Sequence, residues 1–380
     1  MPTLFRKAAA AMLWNAARLR PIRNNLVVFS SFYGRSVSDS PAAISEALHK
    51  KCPEAEIVWL LKEPERVALP EGVRAVNIAS KQRITTLMQA KVWVDNCRKG
   101  AHCKRKGQFY LQTWHGFALK RIEKDAADAL PPDYPAYAKR DSAQCDLIVS
   151  NSRFMSNIYR NSFWYDGAVA EFGSPRNDLF FREDAALRKR VFDALSLSDD
   201  RRLVLYAPTF RASQSTEPYR LDADGLLSAL TKRFGGAWTL LVRLHPNVDD
   251  RSGGLFAYDG ECVIDATHYP DMAELMYAAD ALITDYSSCM FDFALSGRPV
   301  FQFATDIEDY KNDRNFYFPI DALPFDLCED NAQLCAALER FDAPAYQTRW
   351  NDFYEQNGIC EDGNAAERCA DWIIEKLRQE

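Results

Sequence analysis

The chain has 380 residues, of which 47% are hydrophobic and 26% charged, and 47 basic side chains against 53 acidic ones leave a net charge of −6. That balance describes folded globular matter and excludes a disordered chain, a fibre and a basic coat for nucleic acid. No apolar run approaches the roughly 18 residues needed to span a bilayer. At about 100–200 residues per domain, two domains are expected. The ten cysteines include no CxxC pair. Cys97 and Cys103, with His102 between them, lack a second pair to complete a zinc site, so the thiols read as idle in a reducing compartment.

The first 38 residues hold no Asp or Glu. They do hold Arg6, Lys7, Arg18, Arg20, Arg23 and Arg35, with Phe5, Ala9, Met12, Ala16 and Leu19 at helical spacing. Residues 1–23 are therefore expected to form a basic amphipathic helix, which lies either on a membrane surface or on the protein's own. A strand at Leu26–Ser30 follows. Ser40-Pro41 then provides a helix cap and a first-turn proline. Further strands are expected at Glu56–Leu61, Lys91–Asn96, Gly107–Gln112 and Asp146–Ser150, with a helix at Gln82–Ala90 and a cap at Asn151 or Ser152. The turn-rich stretch Gly173–Asp178 reads as a boundary. Beyond it come strands at Leu203–Ala207, Trp238–Leu244, Ala281–Thr284 and Pro299–Phe303. Helices at Leu226–Phe234, Met272–Ala279, Ser287–Ser296 and Ala365–Leu377 alternate with them. Such alternation implies parallel sheets covered on both faces. The expected architecture is α/β, with two doubly wound Rossmann-like domains at 24–180 and 181–380 and a site in the cleft between them, beyond the carboxyl ends of the strands.

Four segments at strand ends carry residues suited to chemistry. In Gln112-Thr113-Trp114-His115-Gly116, a histidine of near-neutral pKa stands beside a glycine that lets a ligand approach the backbone. The other reading of His115 is a surface or core histidine. In Val242-Arg243-Leu244-His245-Pro246, Arg243 and His245 share one face and suit a phosphate, unless Arg243 simply pairs with a carboxylate. In Thr284-Asp285-Tyr286-Ser287-Ser288, hydroxyls meet the start of a helix, where free N–H groups attract anions or are merely capped. In Tyr206-Ala207-Pro208-Thr209-Phe210-Arg211, Arg211 is within reach of a diphosphate. There is no GxGxxG, P-loop, GxSxG or HExxH sequence. No metal site or cofactor is called for.

Together these motifs resemble the CDP-glycerol glycerophosphotransferase family of teichoic acid and capsule enzymes. The matching stretches are QTWHG at 112–116, YAPTFR at 206–211, RLHP at 243–246 and LITDYSSCMFDFALSGRPVFQF at 282–303. The match continues through DIEDY from Asp306, then Arg314 and Phe316-Tyr317-Phe318. The resemblance implies a GT-B-like fold and transfer of glycerol phosphate, or a related polyol phosphate, from a CDP-activated donor to a lipid-linked saccharide or polyol-phosphate acceptor. CMP is released, and the enzyme sits on the inner face of the cell membrane. It implies that His115 is the general base and that His245 contacts the donor phosphates. Arg211, Arg243, Thr284, Ser287 and Ser288 are the expected phosphate ligands. Trp114, Gly116, Thr209, Asp285, Asp306 and Arg314 are further site candidates. Phe117-Ala118 replaces the family's usual Thr-Pro, and Asn315 its usual Gly after Arg314; both differences are expected beside the substrate pocket. A nucleotide-sugar glycosyltransferase on the same fold, or a non-catalytic nucleotide-binding scaffold, are the alternatives.

Overall fold

The computed structural model describes residues 12–99, 104–211, 216–245, 248, 255–307 and 315–379. They divide into two compact units. The first holds residues 12–115, 123–178 and 359–379, and the second 116–122 and 179–358.

In the first unit, seven strands form one sheet in the order β3-β2-β1-β4-β5-β6-β7. They are β1 (Arg23–Ser30), β2 (Glu56–Leu61), β3 (Arg74–Asn77), β4 (Ala90–Asp95), β5 (Phe109–Gln112), β6 (Leu147–Ser150) and β7 (Ala168–Glu171). All pairs are parallel. Alternate residues of each strand face opposite layers. Val27, Phe29, Ile57, Trp59, Val92 and Val94 pack under the helices Asp39–Lys51 and Ala365–Arg378, through Ile44, Leu48, Cys369, Ala370 and Ile373. Leu26, Val28, Val58, Leu60, Trp93 and Tyr110 face the helix Lys81–Gln89 through Ile84, Leu87 and Met88. Both faces are covered, so the strands read as continuous apolar runs.

The second unit repeats the plan with six strands in the order β10-β9-β8-β11-β12-β13. They are β8 (Arg201–Ala207), β9 (Ala237–Val242), β10 (Val263–Asp265), β11 (Ala281–Thr284), β12 (Val300–Phe303) and β13 (Asp326–Cys328), again all parallel. Each sheet thus has its switch point between the first and fourth strands, β1 and β4 or β8 and β11, the place where doubly wound sheets receive ligands.

The α/β class and the central strands agree with the sequence reading. Strands β3, β7, β10 and β13 were not expected. All four are edge strands of three or four residues, too short to show an apolar run, and only pairing defines them. The helix after β1 begins at Asp39 with Ser38 in the capping position, two residues before the expected Ser40. Ser152 is the cap of Arg153–Ser162, its Oγ accepting from the Met155 N–H at 3.0 Å. The expected helix from Ser287 is shorter, Cys289–Ala294.

The domain boundary also differs. The helix Ala365–Arg378, expected in the second half, packs in the first unit. Asp178 explains the return: its carboxylate caps that helix, accepting from the Ala365 and Ala366 N–H groups at 3.0 and 2.7 Å. Of the expected N-terminal helix, residues 1–11 lie outside the described residues. Residues 12–18 are helical, with Ala17 buried against the sheet while Met12 and Leu19 stand 70% and 88% exposed.

Because Ile373 is wholly buried in the first unit, Ile373→Ala should cost about 2–5 kcal/mol of that unit's stability. Urea unfolding followed by tryptophan fluorescence measures this, and an unchanged midpoint would remove the returning helix from the core.

Candidate active site

The first unit places His115 just past the end of β5. The turn is tight. Thr113 still donates its N–H to the Asp95 carbonyl at 3.0 Å, continuing the ladder to β4. Trp114 then takes a left-handed backbone, with φ +52°, and Gly116 has φ +143°, a conformation that favours glycine. The strain at Trp114 is held in place on several sides. Its N–H donates to Gln112 Oε1 at 2.8 Å, and its ring meets Phe163 edge-on at 4.8 Å.

Beneath these rings lies a buried cation. Arg98 pairs with Glu123 at 2.8 Å and Asp141 at 3.2 Å, and its guanidinium faces Phe163 and Trp114 at 5.0 and 5.9 Å. Burial by itself lowers the Arg98 pKa, but the two carboxylates outweigh it and raise it. An arginine so placed keeps its charge and acts as a fixed pillar.

The His115 ring stacks on Trp114 at 4.3 Å, and its Nδ1–H donates to the Asn96 carbonyl at 2.8 Å. A carbonyl only accepts, so Nδ1 carries the proton and Nε2 keeps its lone pair. Burial lowers the imidazole pKa below its ordinary value; the Asn96 bond and the Asp39 carboxylate oppose this, Arg176 adds to it, and Glu123 opposes it weakly. The result is a neutral ring with a basic nitrogen at neutral pH. Asp39 and Arg176 are themselves an ion pair at 2.8 Å, both more than nine-tenths buried.

The second unit gathers Thr209, Arg211, Asp285, Tyr286 and Asp306 at the ends of β8, β11 and β12. Asp285 accepts the Thr209 N–H at 2.9 Å and also its hydroxyl. Arg211 reaches Asp285 at 2.8 Å and Asp306 at 2.6 Å, donates to the Thr209 carbonyl at 2.7 Å, and lies 4.9 Å from the Tyr286 ring. Tyr286 donates its hydroxyl to Asp306 at 3.1 Å. This network ties three loops together.

Two expected phosphate ligands are therefore placed otherwise. Arg211 is 4% exposed and engaged by two carboxylates. Thr284 is fully buried and donates its hydroxyl to the Ala207 carbonyl at 2.6 Å. Both hold the loops of the site from inside the fold, as do Asp285 and Asp306. Arg243 is different. Its Nη1 donates to the carbonyls of Tyr269 and Ala266 at 2.6 and 3.4 Å, and among the described residues no carboxylate pairs with it. Burial lowers its pKa, opposed by Asp271 and, less, by Cys289 and Tyr269. A partly buried guanidinium left without a counter-ion suits an anion. His245 is exposed, its ring 5.4 Å from that of Phe210. Ser287 and Ser288 are half-buried, and the Ser288 hydroxyl makes no capping bond. Arg314 lies outside the described residues. Phe117, expected beside the pocket, is instead core: it is 1% exposed and packs on Phe291 at 4.7 Å and on Phe353 and Phe318 at 6.0 and 6.1 Å.

Sequence reasoning missed Asn96, Arg98, Asp39 and Arg176. Asn96 had a usable signal, since it directly follows a buried strand as the other site residues do. Arg176 sat in a stretch read only as a boundary.

The model of the family described as CDP-Glycerol:Poly(glycerophosphate) glycerophosphotransferase matches residues 12–375. The chain belongs to this family. The resemblance read from the motifs is thereby borne out. The teichoic acid poly(glycerol phosphate) polymerase of Staphylococcus epidermidis is 31% identical over 377 residues, covering 94% of this chain and 52% of that protein. The polymerase of the same description from Bacillus subtilis is 28% identical, covering 98% and 51%. The chain thus spans about half the length of these two relatives. The teichoic acid glycerol-phosphate transferase of Staphylococcus aureus is 30% identical and matches at full scale, with 92% of this chain and 93% of that protein covered. Among solved structures, the wall teichoic acid polymerase TagF superposes with a TM-score of 0.85 at 28% identity, covering 100% of this chain and 98% of that one. A putative UDP-N-acetylglucosamine 2-epimerase from Listeria monocytogenes, at 14% identity and a TM-score of 0.55, shares the two-domain Rossmann-like fold alone. Within this glycerophosphotransferase family fold, TDYSS at 284–288 divides its labour. Thr284 and Asp285 face inward as structure, while Ser287 and Ser288 are half-buried and Ser287 Oγ accepts from the Cys289 N–H at 3.4 Å.

Thr284→Val should therefore lower stability by about 1–3 kcal/mol through the lost buried hydrogen bond and leave CDP affinity unchanged. Calorimetry beside a thermal melt tests both, and a loss of CDP binding in a protein of normal stability would return Thr284 to the phosphate site.

Proposed function

We propose that the protein transfers glycerol phosphate, or a related polyol phosphate, from a CDP-activated donor to a hydroxyl of a lipid-linked or polymeric acceptor in teichoic acid or capsule synthesis, releasing CMP. The observation that carries this reading is the state of His115: neutral, with the Nε2 lone pair available, inside the family's WHG motif.

Nε2 takes the proton of the acceptor hydroxyl, whose oxygen attacks the phosphorus nearest the polyol. The bond from that phosphorus to the bridging oxygen breaks, and its electron pair leaves with CMP. Arg243, His245, Ser287 and Ser288 stabilise charge on the donor phosphates. Arg211, Asp285, Thr209 and Asp306 hold the loop that carries Ser287 and Ser288. The polyol is decided by incubating the enzyme separately with CDP-glycerol and CDP-ribitol and a lipid acceptor, and weighing the product. An added sugar from a nucleotide sugar, with no CMP from either donor, would overturn the reading.

We also assign the membrane contact to the N-terminal segment. Met12 and Leu19 are exposed beside Arg18 and Arg20. Lys106 adds charge from a neighbouring loop, which Arg105 ties to this segment through the Arg20 carbonyl at 2.8 Å. No helix among the described residues is long and apolar enough to cross a membrane; the contact assigned here is one at the surface.

His115→Ala should stay folded and lose roughly 10²–10⁴-fold in kcat. The same histidine sets the sign of the pH profile. Protonation removes the base, and a lowered pKa keeps it neutral further into acid. kcat/KM of the wild type should therefore hold down to the ordinary histidine value of 6.5 and fall only below it. A fall beginning above that value would exclude His115 as the group responsible.

Substituting Met12, Arg18, Leu19 and Arg20 together by Glu leaves Ala17 in its packing site. This variant should sediment far less with phosphatidylglycerol vesicles, each lost basic residue being worth about 1 kcal/mol. Undiminished sedimentation would move the contact to another surface.

A further inference from the structure

His115 is only as good a base as its tautomer allows, and the tautomer is decided by what its Nδ1 meets. That partner is a main-chain carbonyl, of Asn96, which cannot change its identity on mutation but can change its direction. Its direction is held by the Asn96 side chain. Asn96 sits immediately beyond β4, is fully buried, and uses both ends of its amide. Oδ1 accepts from the Phe32 N–H at 2.8 Å, and Nδ2 donates to Ser31 Oγ at 3.2 Å. The segment it grips is unusual. Phe32, Tyr33 and Gly34 are consecutively left-handed, with φ of +45°, +58° and +78°. Only Gly34 suits that region without cost, and a Cβ there would lie 2.9 Å from the Leu60 carbonyl oxygen. Two non-glycine residues in such a backbone persist only where the surroundings hold them. The Phe32 ring in turn lies 6.1 Å from that of His115. The ends of β1, β4 and β5 are thus joined through one side chain at the switch point of the sheet.

We propose that Asn96 is the positioning residue of the general base: its carbonyl holds His115 as the Nδ1–H tautomer, and its amide locks that carbonyl to the strained loop after β1. The inference rests on the reading of His115 as base. Asparagine fits the task because one short side chain supplies both an acceptor and a donor. Aspartate retains the acceptor and alanine retains neither. Both substitutions leave the charged groups around the imidazole, Asp39, Arg176 and Glu123, in place; the aspartate adds a buried carboxyl, and the alanine adds no charge.

The test is nitrogen NMR of the full chain labelled at its histidine rings, with the His115 signals assigned by their loss in His115→Gln. At pH 7.5 the wild type should show Nδ1 protonated and Nε2 bare. Asn96→Ala should mix the tautomers and lower kcat by roughly 10–100-fold, with KM for CDP-glycerol moving less than about twofold. Asn96→Asp, keeping the bond from Phe32, should retain the wild-type tautomer and more of kcat than the alanine variant. A role in stability alone would lower the melting temperature of Asn96→Ala and leave its tautomer unmoved. That result overturns the proposal, as does an Nε2–H tautomer in the wild type. Should Asn96→Ala fail to fold, the wild-type tautomer and the aspartate variant still decide. If the tautomers behave as stated while the wild type releases no CMP from CDP-glycerol, the functional reading fails and the positioning of His115 stands.

Discussion

An all-parallel sheet has to be buried on both faces, and that constraint organises everything else in this protein. Covering both faces requires a crossover after nearly every strand, and every crossover starts at the same edge. The loops that follow β1, β4 and β5, or β8, β11 and β12, are therefore gathered at one end of their sheet. Chemistry-bearing residues in those loops become neighbours however far apart they lie in the chain. Thr209 and Asp285 are joined in this way, and so are Phe32, Asn96 and His115.

The carboxyl end of each sheet is then stiffened by one arginine held between two acids. Arg98 lies between Glu123 and Asp141, and Arg211 between Asp285 and Asp306. Buried ion pairs add little net stability, but removing one partner costs about 3–5 kcal/mol, because a charge is then left alone in a poor solvent. Their value here is geometric. The planar guanidinium fixes the directions of its carboxylates and offers a flat face to rings. Arg98 supports Trp114, on which His115 stacks; Arg211 faces Tyr286 and braces Thr209. An arginine in a family motif invites assignment to the phosphates. The burial of Arg211 assigns it to the scaffold, while Arg243, which pairs with no carboxylate among the described residues, is the arginine proposed for the donor phosphates.

The family motifs consequently mix two kinds of residue. In TDYSS the first three residues are buried and the two serines half-buried. In YAPTFR, Thr209 and Arg211 are both committed to Asp285. Next to WHG, Phe117 belongs to an aromatic cluster with Phe291, Phe318 and Phe353. The departure from the family at this position therefore alters packing directly, and a pocket only through that packing.

Apolar periodicity determined the class of fold and the central strands, because a strand buried on both faces must be written in Val, Ile, Leu and aromatic residues. Strand ends followed by His, Arg, Ser or Thr located the candidate site for the same reason, since ligands meet such sheets only there. The motifs carried the family. Four edge strands escaped because pairing, not composition, makes them. The returning helix Ala365–Arg378 reads from sequence as an ordinary amphipathic helix; which sheet it covers was decided by the Asp178 cap and by the fit of Cys369, Ala370 and Ile373. The roles of Arg211, Thr284 and Asn96 were likewise decided in three dimensions. A sequence states which donors and acceptors a side chain owns, and only the folded neighbourhood determines whether they are spent on the protein or left for a ligand.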